Sequence, residues 1–278
     1  MRRRKPLADA LLKERLDTLV ETFDVTTIEP DPLQLVLRYD EPADQEVAGL
    51  IAAAFAYGRA EYIVSNIGAV LEKMTPSPSH YLRTFDRREA TKRFAGFAHR
   101  FHKTPDLVAL LAAMARHDSL GALFAAGYDE GDADIGPSLT RFVSALLPAD
   151  APQSLRYLLT DPRDGSACKR MNLYLRWMIR RTAPDLGIWR FANPAKLVMP
   201  VDTHIHRIAT FLGLNDRATA DWKAARAITD KLARFDPADP VRYDFALCRL
   251  GILDLCSTKR KKENCDVCLL RDVCRFPL

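Results

Sequence analysis

The chain has 278 residues, of which 48% are hydrophobic and 28% charged, and its formal net charge is +5. This apolar content is enough to bury the core of one large domain or two small lobes, which excludes a chain that is disordered throughout. No apolar stretch approaches the roughly 18 residues of a membrane span, and the basic start Met1–Pro6 has no apolar run after it, so we expect neither a membrane helix nor a secretory signal. We therefore expect a cytoplasmic protein whose 6 cysteines are ligands rather than disulfides.

Apolar residues recur at helical spacing along most of the chain, and prolines and glycines separate the helical segments. The first half is predicted to hold helices over 7–22, 44–56, 60–74, 105–117, 119–126 and 137–147. The second half is predicted to hold helices over 167–181, 203–212, 219–234 and 240–254. Leu33–Leu37 is the only fair strand candidate. The pattern predicts an all-α protein of about ten helices.

Four of the six cysteines lie within the last 23 residues, at Cys256, Cys265, Cys268 and Cys274. Their spacing is C-x8-C-x2-C-x5-C, and four thiolates this close together are typical ligands of a zinc ion or an iron–sulfur cluster. Zinc sites commonly use two closely spaced cysteine pairs, whereas this segment has one, which favours the cluster. Cys168 and Cys248 have no partner at ligand spacing, and Cys248 is predicted to be a core residue.

The loop between the first two of these cysteines carries four cations and one anion. The cations are Lys259, Arg260, Lys261 and Lys262. A metal site at both ends of the loop would hold them rigidly, as a surface that binds nucleic-acid phosphates requires. We therefore take these residues as candidate DNA contacts, the alternative being a solvated basic loop.

The cysteine spacing and two upstream motifs resemble the helix-hairpin-helix DNA glycosylase superfamily, in particular its endonuclease III-like members. In that group a C-x6-C-x2-C-x5-C segment binds a four-iron–four-sulfur cluster. Here the last three cysteines match, and the first gap is two residues longer. Pro200–His204 reads P-V-D-T-H and resembles the group's V-D-T-H motif, whose aspartate is the catalytic carboxylate. The resemblance implies this role for Asp202.

The second motif is Gly165–Asn172, G-S-A-C-K-R-M-N, which resembles the group's hairpin G-x-G-x-K-T-A-N. The resemblance places Lys169 at the position of the nucleophilic lysine of the members that also cleave the DNA strand. Ala167 stands where the group has a second glycine, and the usual preceding L-P-G is absent. The interval from Lys169 to Asp202 is closer to that of archaeal 8-oxoguanine glycosylases, so the chain resembles a divergent bacterial branch of the superfamily.

The specific part of the resemblance covers residues 165–278, and it implies a two-lobed all-α fold. The central lobe would comprise 40–165, and the second lobe 1–39 with 166–278, including the C-terminal cluster segment 255–278. The turn between the helices predicted on either side of Gly58 is where members place residues that fill the gap left by an extruded base. Tyr57 and Arg59 are therefore further candidate DNA contacts.

The resemblance implies a base-excision glycosylase with AP-lyase activity, in which Lys169 attacks the sugar carbon and Asp202 assists. The implied partner is duplex DNA with a damaged base, bound by a monomer at the nucleoid, with RNA as the alternative. The implied cofactor is a 4Fe–4S cluster, with zinc as the alternative. From the residues alone, Asp202 is equally well a helix cap and Lys169 a solvated lysine at a helix start. A non-catalytic nucleic-acid-binding protein of the same fold and a zinc-stabilised binding module stay open.

Histidines and aromatic residues near these motifs suggest further alternatives. His204 and His206 form an H-x-H pattern that resembles metal-dependent hydrolases, but on a helix such side chains point about 200° apart and would not share a metal. Trp177, Trp189 and Phe191 have rings suited to stacking on an extruded base. Trp177 lies on an amphipathic helix and is predicted to be a core residue.

Overall fold

The computed structural model describes residues 6–259 and 261–277, and this part of the chain is predominantly helical. The basic segment Met1–Lys5 and the candidate DNA contact Arg260 lie outside the described residues, as does Leu278. None of the described helices has the length and apolar character that crossing a lipid bilayer requires.

The helices and the one small sheet follow each other in short segments. Before residue 160 they are α1 (Pro6–Thr22), α2 (Leu33–Val36), α3 (Pro42–Ala54), α4 (Ala60–Glu72), α5 (Pro78–Arg83), α6 (Arg87–Arg93), β1 (Ala98–His99), β2 (His102–Lys103), α7 (Thr104–Met114), α8 (Leu120–Gly127), α9 (Gly136–Leu146) and α10 (Gln153–Leu158). After it they are α11 (Lys169–Ile179), α12 (Thr203–Phe211), α13 (Trp222–Leu232), α14 (Asp244–Ile252) and α15 (Lys262–Asp266). Short 3-10 turns lie at Val25–Thr27, Pro162–Asp164, Pro194–Lys196 and Arg271–Val273.

The all-α prediction is confirmed, and each of the ten predicted helices is present with its ends shifted by no more than about four residues. The strand prediction for Leu33–Leu37 is wrong, because Leu33–Val36 is helix α2. Pro32 is the N-cap of this helix, and Asp31 before it accepts a hydrogen bond from the backbone N–H of Leu33, the first helical residue, at 2.9 Å. The antiparallel pair of β1 and β2 was not expected from the sequence.

Helix α11 lies in the middle of the core, and from Arg170 to Ile179 each of its residues is buried. It packs chiefly against α3, where Gly49 allows a close approach, since an added Cβ would lie 2.9 Å from Met178 Cε. Trp177 is fully buried, as predicted. Buried apolar residues from both halves of the chain form one continuous cluster. The division into two lobes stays a prediction.

Candidate active site and four-cysteine segment

A cavity of about 890 Å³ opens where the α3–α4 turn meets the first residues of α11 and α12 and the last residues of α14. Four of the candidate catalytic and DNA-contact residues line it: Tyr57, Arg59, Lys169 and Asp202. They come from three segments that are far apart in the chain. The fold therefore brings the α3–α4 turn, the hairpin motif and the P-V-D-T-H motif to one place.

Lys169 is the first residue of α11, and its amine faces the carboxylate of Asp202. Lys169 Nζ lies 3.9 Å from Asp202 Oδ2 and donates a hydrogen bond to the carbonyl of Ala56 at 3.1 Å. The side chains of Lys169 and Asp202 are 25% and 26% exposed, so both are open to the cavity without being fully solvated. An amine and a carboxylate in this arrangement can act on the same substrate atom.

The turn before α11 positions Lys169 through its backbone. Its left-handed residues are Gly165, with φ of 73°, and Cys168, with φ of 49°, so alanine at position 167 meets no backbone strain. Ser166 pairs with Asp221 in an antiparallel bridge, and the side chain of Asn172 donates to the carbonyl of Ala167 at 3.1 Å. The turn is thus closed by hydrogen bonds in spite of the missing second glycine.

Asp202 is the N-cap of α12. Its Oδ1 accepts hydrogen bonds from the backbone N–H groups of His204 and Ile205, both at 2.9 Å. Its other oxygen, Oδ2, is the one nearest Lys169. The capping role and a place in the cavity are therefore compatible, because each uses a different oxygen of the same carboxylate.

The two histidines of the H-x-H pattern have different neighbours. His206 Nε2 lies 2.9 Å from the side-chain nitrogen of Asn215, and His204 Nδ1 lies 3.3 Å from Arg207. This agrees with side chains that diverge on a helix. Trp189 is buried and stacks on the half-exposed Phe191 with ring centroids 6.1 Å apart; neither ring lines the cavity.

Charged groups that the sequence analysis missed form the inner wall of the cavity. Arg176 is buried and forms ion pairs with Asp244 and, at 3.1 Å, with Asp185. Burial raises the pKa of Asp244 to about 6, although Arg176 opposes the rise. Asp31 also lines this wall. In the sequence, Asp31 is a lone aspartate between two prolines, and nothing else there marks it as a site residue.

The prediction that Cys248 is a core residue is wrong in one respect. Its side chain packs against the core but is only partly buried, and it lines the cavity. Burial raises the pKa of its thiol, and the nearby carboxylates of Asp202 and Asp244 raise it further. The thiol is therefore protonated at neutral pH. The position of Cys248 on α14 agrees with the helical spacing of apolar residues. That spacing cannot distinguish a residue that lines a cavity from one inside a closed core.

Aromatic rings cover the outer part of the cavity. The Arg170 guanidinium lies 4.4 Å from the ring centre of Tyr157 and 5.3 Å from that of Tyr57. The Tyr57 hydroxyl lies 2.5 Å from His102 Nδ1, and burial raises the pKa of this phenol. Phe101, at the tip of the β1–β2 hairpin, stacks on Tyr57 with ring centroids 5.8 Å apart and is 59% exposed. Apolar ring surface is therefore presented to solvent beside the cavity.

Exposed cations accompany these rings. Arg59 is the N-cap residue of α4 and lines the cavity, and the Arg100 side chain lies over Gly58, with Cδ 3.5 Å from where a Cβ would be. Within 6–259 and 261–277, neither arginine forms an ion pair. Their charge is available to an anionic partner.

The four C-terminal cysteines are free and partly buried. Burial raises the pKa of the Cys256 thiol, Arg207 opposes the rise, and the thiols of Cys268, Cys274 and Cys265 raise the pKa further. Among the described residues, no group of three or more His, Cys, Asp or Glu is arranged to hold a metal ion. The donor set fits a thiolate-ligated group by its chemistry, and the ligand assignment stays a proposal.

The basic loop lies apart from the cavity lining. Lys259, Lys261 and Lys262 are exposed, and none of them lines the cavity. The segment is nevertheless connected to the helix that Asp202 caps, because Arg207 of α12 donates a hydrogen bond to the carbonyl of Cys256.

Residues 31–253 match the protein family of unknown function DUF2400. The chain belongs to this family. The match includes Tyr57, Lys169 and Asp202, begins at Asp31, and ends before Cys256. Searches of curated proteins and of solved structures return no match to this DUF2400 chain.

Proposed function

We propose that the chain is a DNA base-excision glycosylase with AP-lyase activity. The observation that carries the proposal is the Lys169 amine 3.9 Å from the Asp202 carboxylate, both at the first turn of a helix and both beside one cavity. A lysine nucleophile needs a group nearby that accepts its proton, and a departing base needs negative charge near the sugar carbon. One carboxylate in this position serves both needs.

The surroundings of this pair suit an extruded nucleotide. A volume of about 890 Å³ is within the range of pockets that enclose a small ligand. Arg59 and Arg100 at the rim suit the phosphates on either side, and the exposed ring of Phe101 suits stacking on a base. An enzyme that acts on a base inside a duplex must turn it out of the stack into such a cavity.

The chemistry then follows from the two side chains. The neutral amine of Lys169 attacks the anomeric sugar carbon, and the bond from that carbon to the base breaks, so that the base leaves with the bonding electrons and takes up a proton. Asp202 stabilises the positive charge that develops at the carbon and accepts the proton that the attacking amine loses. Opening of the sugar ring gives a Schiff base with Lys169. Loss of a proton from the adjacent carbon then expels the 3′ phosphate and cleaves the strand.

The four C-terminal cysteines are proposed to hold a 4Fe–4S cluster, with zinc as the alternative. In either case the group would fix the segment that carries Lys259, Lys261 and Lys262, which would bind DNA phosphates as a rigid surface. Cys256, Cys265, Cys268 and Cys274 supply the thiolates. The proposed reaction uses only the side chains of the cavity.

Borohydride trapping tests the nucleophile. The probes are duplex oligonucleotides with one uracil, hypoxanthine, 8-oxoguanine or dihydrouracil, and one duplex with an abasic site. Lys169→Gln is expected to abolish the covalent protein–DNA adduct on the abasic duplex, because an amide cannot form a Schiff base. Lys73→Gln, which changes the exposed lysine at the C-cap of α4, is the matched control and should trap like the wild type. Undiminished trapping by Lys169→Gln would point to a different amine.

Asp202→Asn tests the carboxylate. It should lower base release by about 100- to 1,000-fold while DNA binding is retained, since an amide keeps the shape but not the charge. Base release at the wild-type rate would refute the assignment. If the wild-type protein binds DNA but neither releases a base nor traps, the non-catalytic nucleic-acid-binding function takes the place of this proposal.

A further inference from the structure

Asp31 is a buried carboxylate on the inner wall of the cavity. Its residue surface is 5% exposed, whereas the side chains of Lys169 and Asp202 in the same cavity are 25% and 26% exposed. Local hydrogen bonds fix its position: its N–H donates to the carbonyl of Ile28 at 2.6 Å, and its Oδ1 accepts from the N–H of Leu33 at 2.9 Å. The carboxylate is therefore held rigidly at a deeper level than the Lys169–Asp202 pair.

The other oxygen of this carboxylate, Oδ2, forms no hydrogen bond or ion pair with the described part of the chain. The nearby cations are bonded elsewhere: Arg176 pairs with Asp185 and Asp244, and Arg249 donates to the carbonyls of Ile28 and Glu29. No described cation comes within ion-pair distance of Asp31, and only Oδ1 accepts a hydrogen bond. Burial of a charged group without a partner is unfavourable, so the free oxygen is suited to a ligand that supplies a donor.

The chemistry of the wall limits what that ligand group can be. A carboxyl oxygen without a cation beside it offers nothing that attracts phosphate, and the sugar carbon belongs beside Lys169 and Asp202, so the part of an extruded nucleotide that reaches Asp31 is the base. Burial raises the pKa of Asp31, and the positive charges of Arg176, Lys169 and Arg249 oppose the rise. A group desolvated in this way forms strong hydrogen bonds with the donors it meets.

We propose that Asp31 recognises the extruded base, with Oδ2 accepting a hydrogen bond from a ring or exocyclic N–H of that base. This inference rests on the proposed glycosylase function and adds a specificity-determining residue to it. Asp31 is then required for base release, but not for chemistry at a site whose base has already gone.

The test separates these two steps with the same duplexes. Asp31→Asn keeps an oxygen that can accept from the N–H of Leu33 and replaces the acceptor Oδ2 by an amide nitrogen that donates. Asp31→Ser keeps an oxygen for Leu33 but is too short to reach the base. For both variants, base release from the duplex that the wild type processes fastest should fall about 10- to 100-fold. Borohydride trapping on the abasic duplex should stay within twofold of the wild type. Asp24→Asn, the same change at the exposed cap of the neighbouring 3-10 turn, is the matched control.

Three outcomes are informative. Base release at the wild-type rate in both Asp31 variants would overturn the inference. An equal loss of base release and trapping would also overturn it, because Asp31 would then act through Lys169 or through the fold. If the wild type shows neither base release nor trapping, the proposed function itself fails and the inference falls with it.

Discussion

At the scale of single residues, the two oxygens of the Asp202 carboxylate have different roles in the site. Oδ1 holds the first turn of α12 through the N–H groups of His204 and Ile205, and Oδ2 lies on the side of Lys169. Because the cap fixes the direction of the carboxylate, the negative charge is oriented before a substrate arrives. Preorganisation of this kind is what makes an electrostatic group effective in a transition state.

This arrangement predicts different stabilities for two variants of Asp202. Asp202→Asn keeps an oxygen that accepts from the helix, so its free energy of unfolding should stay within about 0.5 kcal/mol of the wild type. Asp202→Ala removes the cap and should lower that free energy by about 0.5–2 kcal/mol. Urea denaturation followed by circular dichroism measures both. Equal losses in the two variants would show that the cap contributes nothing to stability.

Lys169 and Asp202 lie in local sequence motifs, which is why both could be singled out from the sequence. The structure places them beside one cavity, and their catalytic roles stay a prediction. Asp31 and Cys248 were missed because their place depends on which distant helices surround them. The local spacing of apolar residues in a sequence does not show whether a side chain faces a cavity or a closed core.

At the scale of elements, the turn that leads into α11 is the main departure from the motif it resembles. Ala167 stands where the motif has its second glycine. In the structure the left-handed positions fall on Gly165 and Cys168, and the N–H of Trp222 donates to the carbonyl of Gly165 at 3.1 Å. The turn is therefore stabilised partly from outside, by the start of α13.

A glycine pair tests how much this turn matters. Gly165 has φ of 73° and Gly96 has φ of 82°, and at both an added Cβ would have no described atom within 4 Å. Alanine at either position should therefore lower the free energy of unfolding by a similar amount, about 1–2 kcal/mol, through backbone strain alone. Only Gly165→Ala should also slow base release and trapping, because it precedes Lys169. Equal activity of the two variants would contradict a positioning role for the turn.

The long helices were predictable because their apolar residues repeat over several turns, as in α4 and α13. Shorter elements were not. Leu33–Val36 spans barely one turn, so its alternating apolar residues resembled a strand. In the structure the N–H of Leu33, its first residue, donates to the side chain of Asp31. The β1–β2 hairpin has only two residues in each strand, too few for a period to be recognised.

At the scale of the whole molecule, the four-cysteine segment joins parts of the chain that are distant in sequence. Arg15 of α1 forms an ion pair with Asp272 at 2.7 Å, and the N–H of Arg275 donates to the carbonyl of Phe211 at the end of α12 at 2.8 Å. Arg207, also on α12, donates to the carbonyl of Cys256. A group bound by the cysteines would therefore stabilise the helix that Asp202 caps as well as the basic loop.

Metal analysis of the protein purified without oxygen decides between the two proposed groups. A 4Fe–4S cluster should give a brown protein with about four irons and a similar amount of sulfide per chain. Cys274→Ser should lose this iron, because the cluster then lacks one of its ligands. Its melting temperature should also fall, because the segment then no longer stabilises α12. Cys248→Ser, which changes a cysteine outside the C-terminal segment, should keep its iron. A colourless protein with stoichiometric zinc would contradict the cluster, and it would weaken the resemblance to the endonuclease III-like group without affecting the Lys169–Asp202 pair.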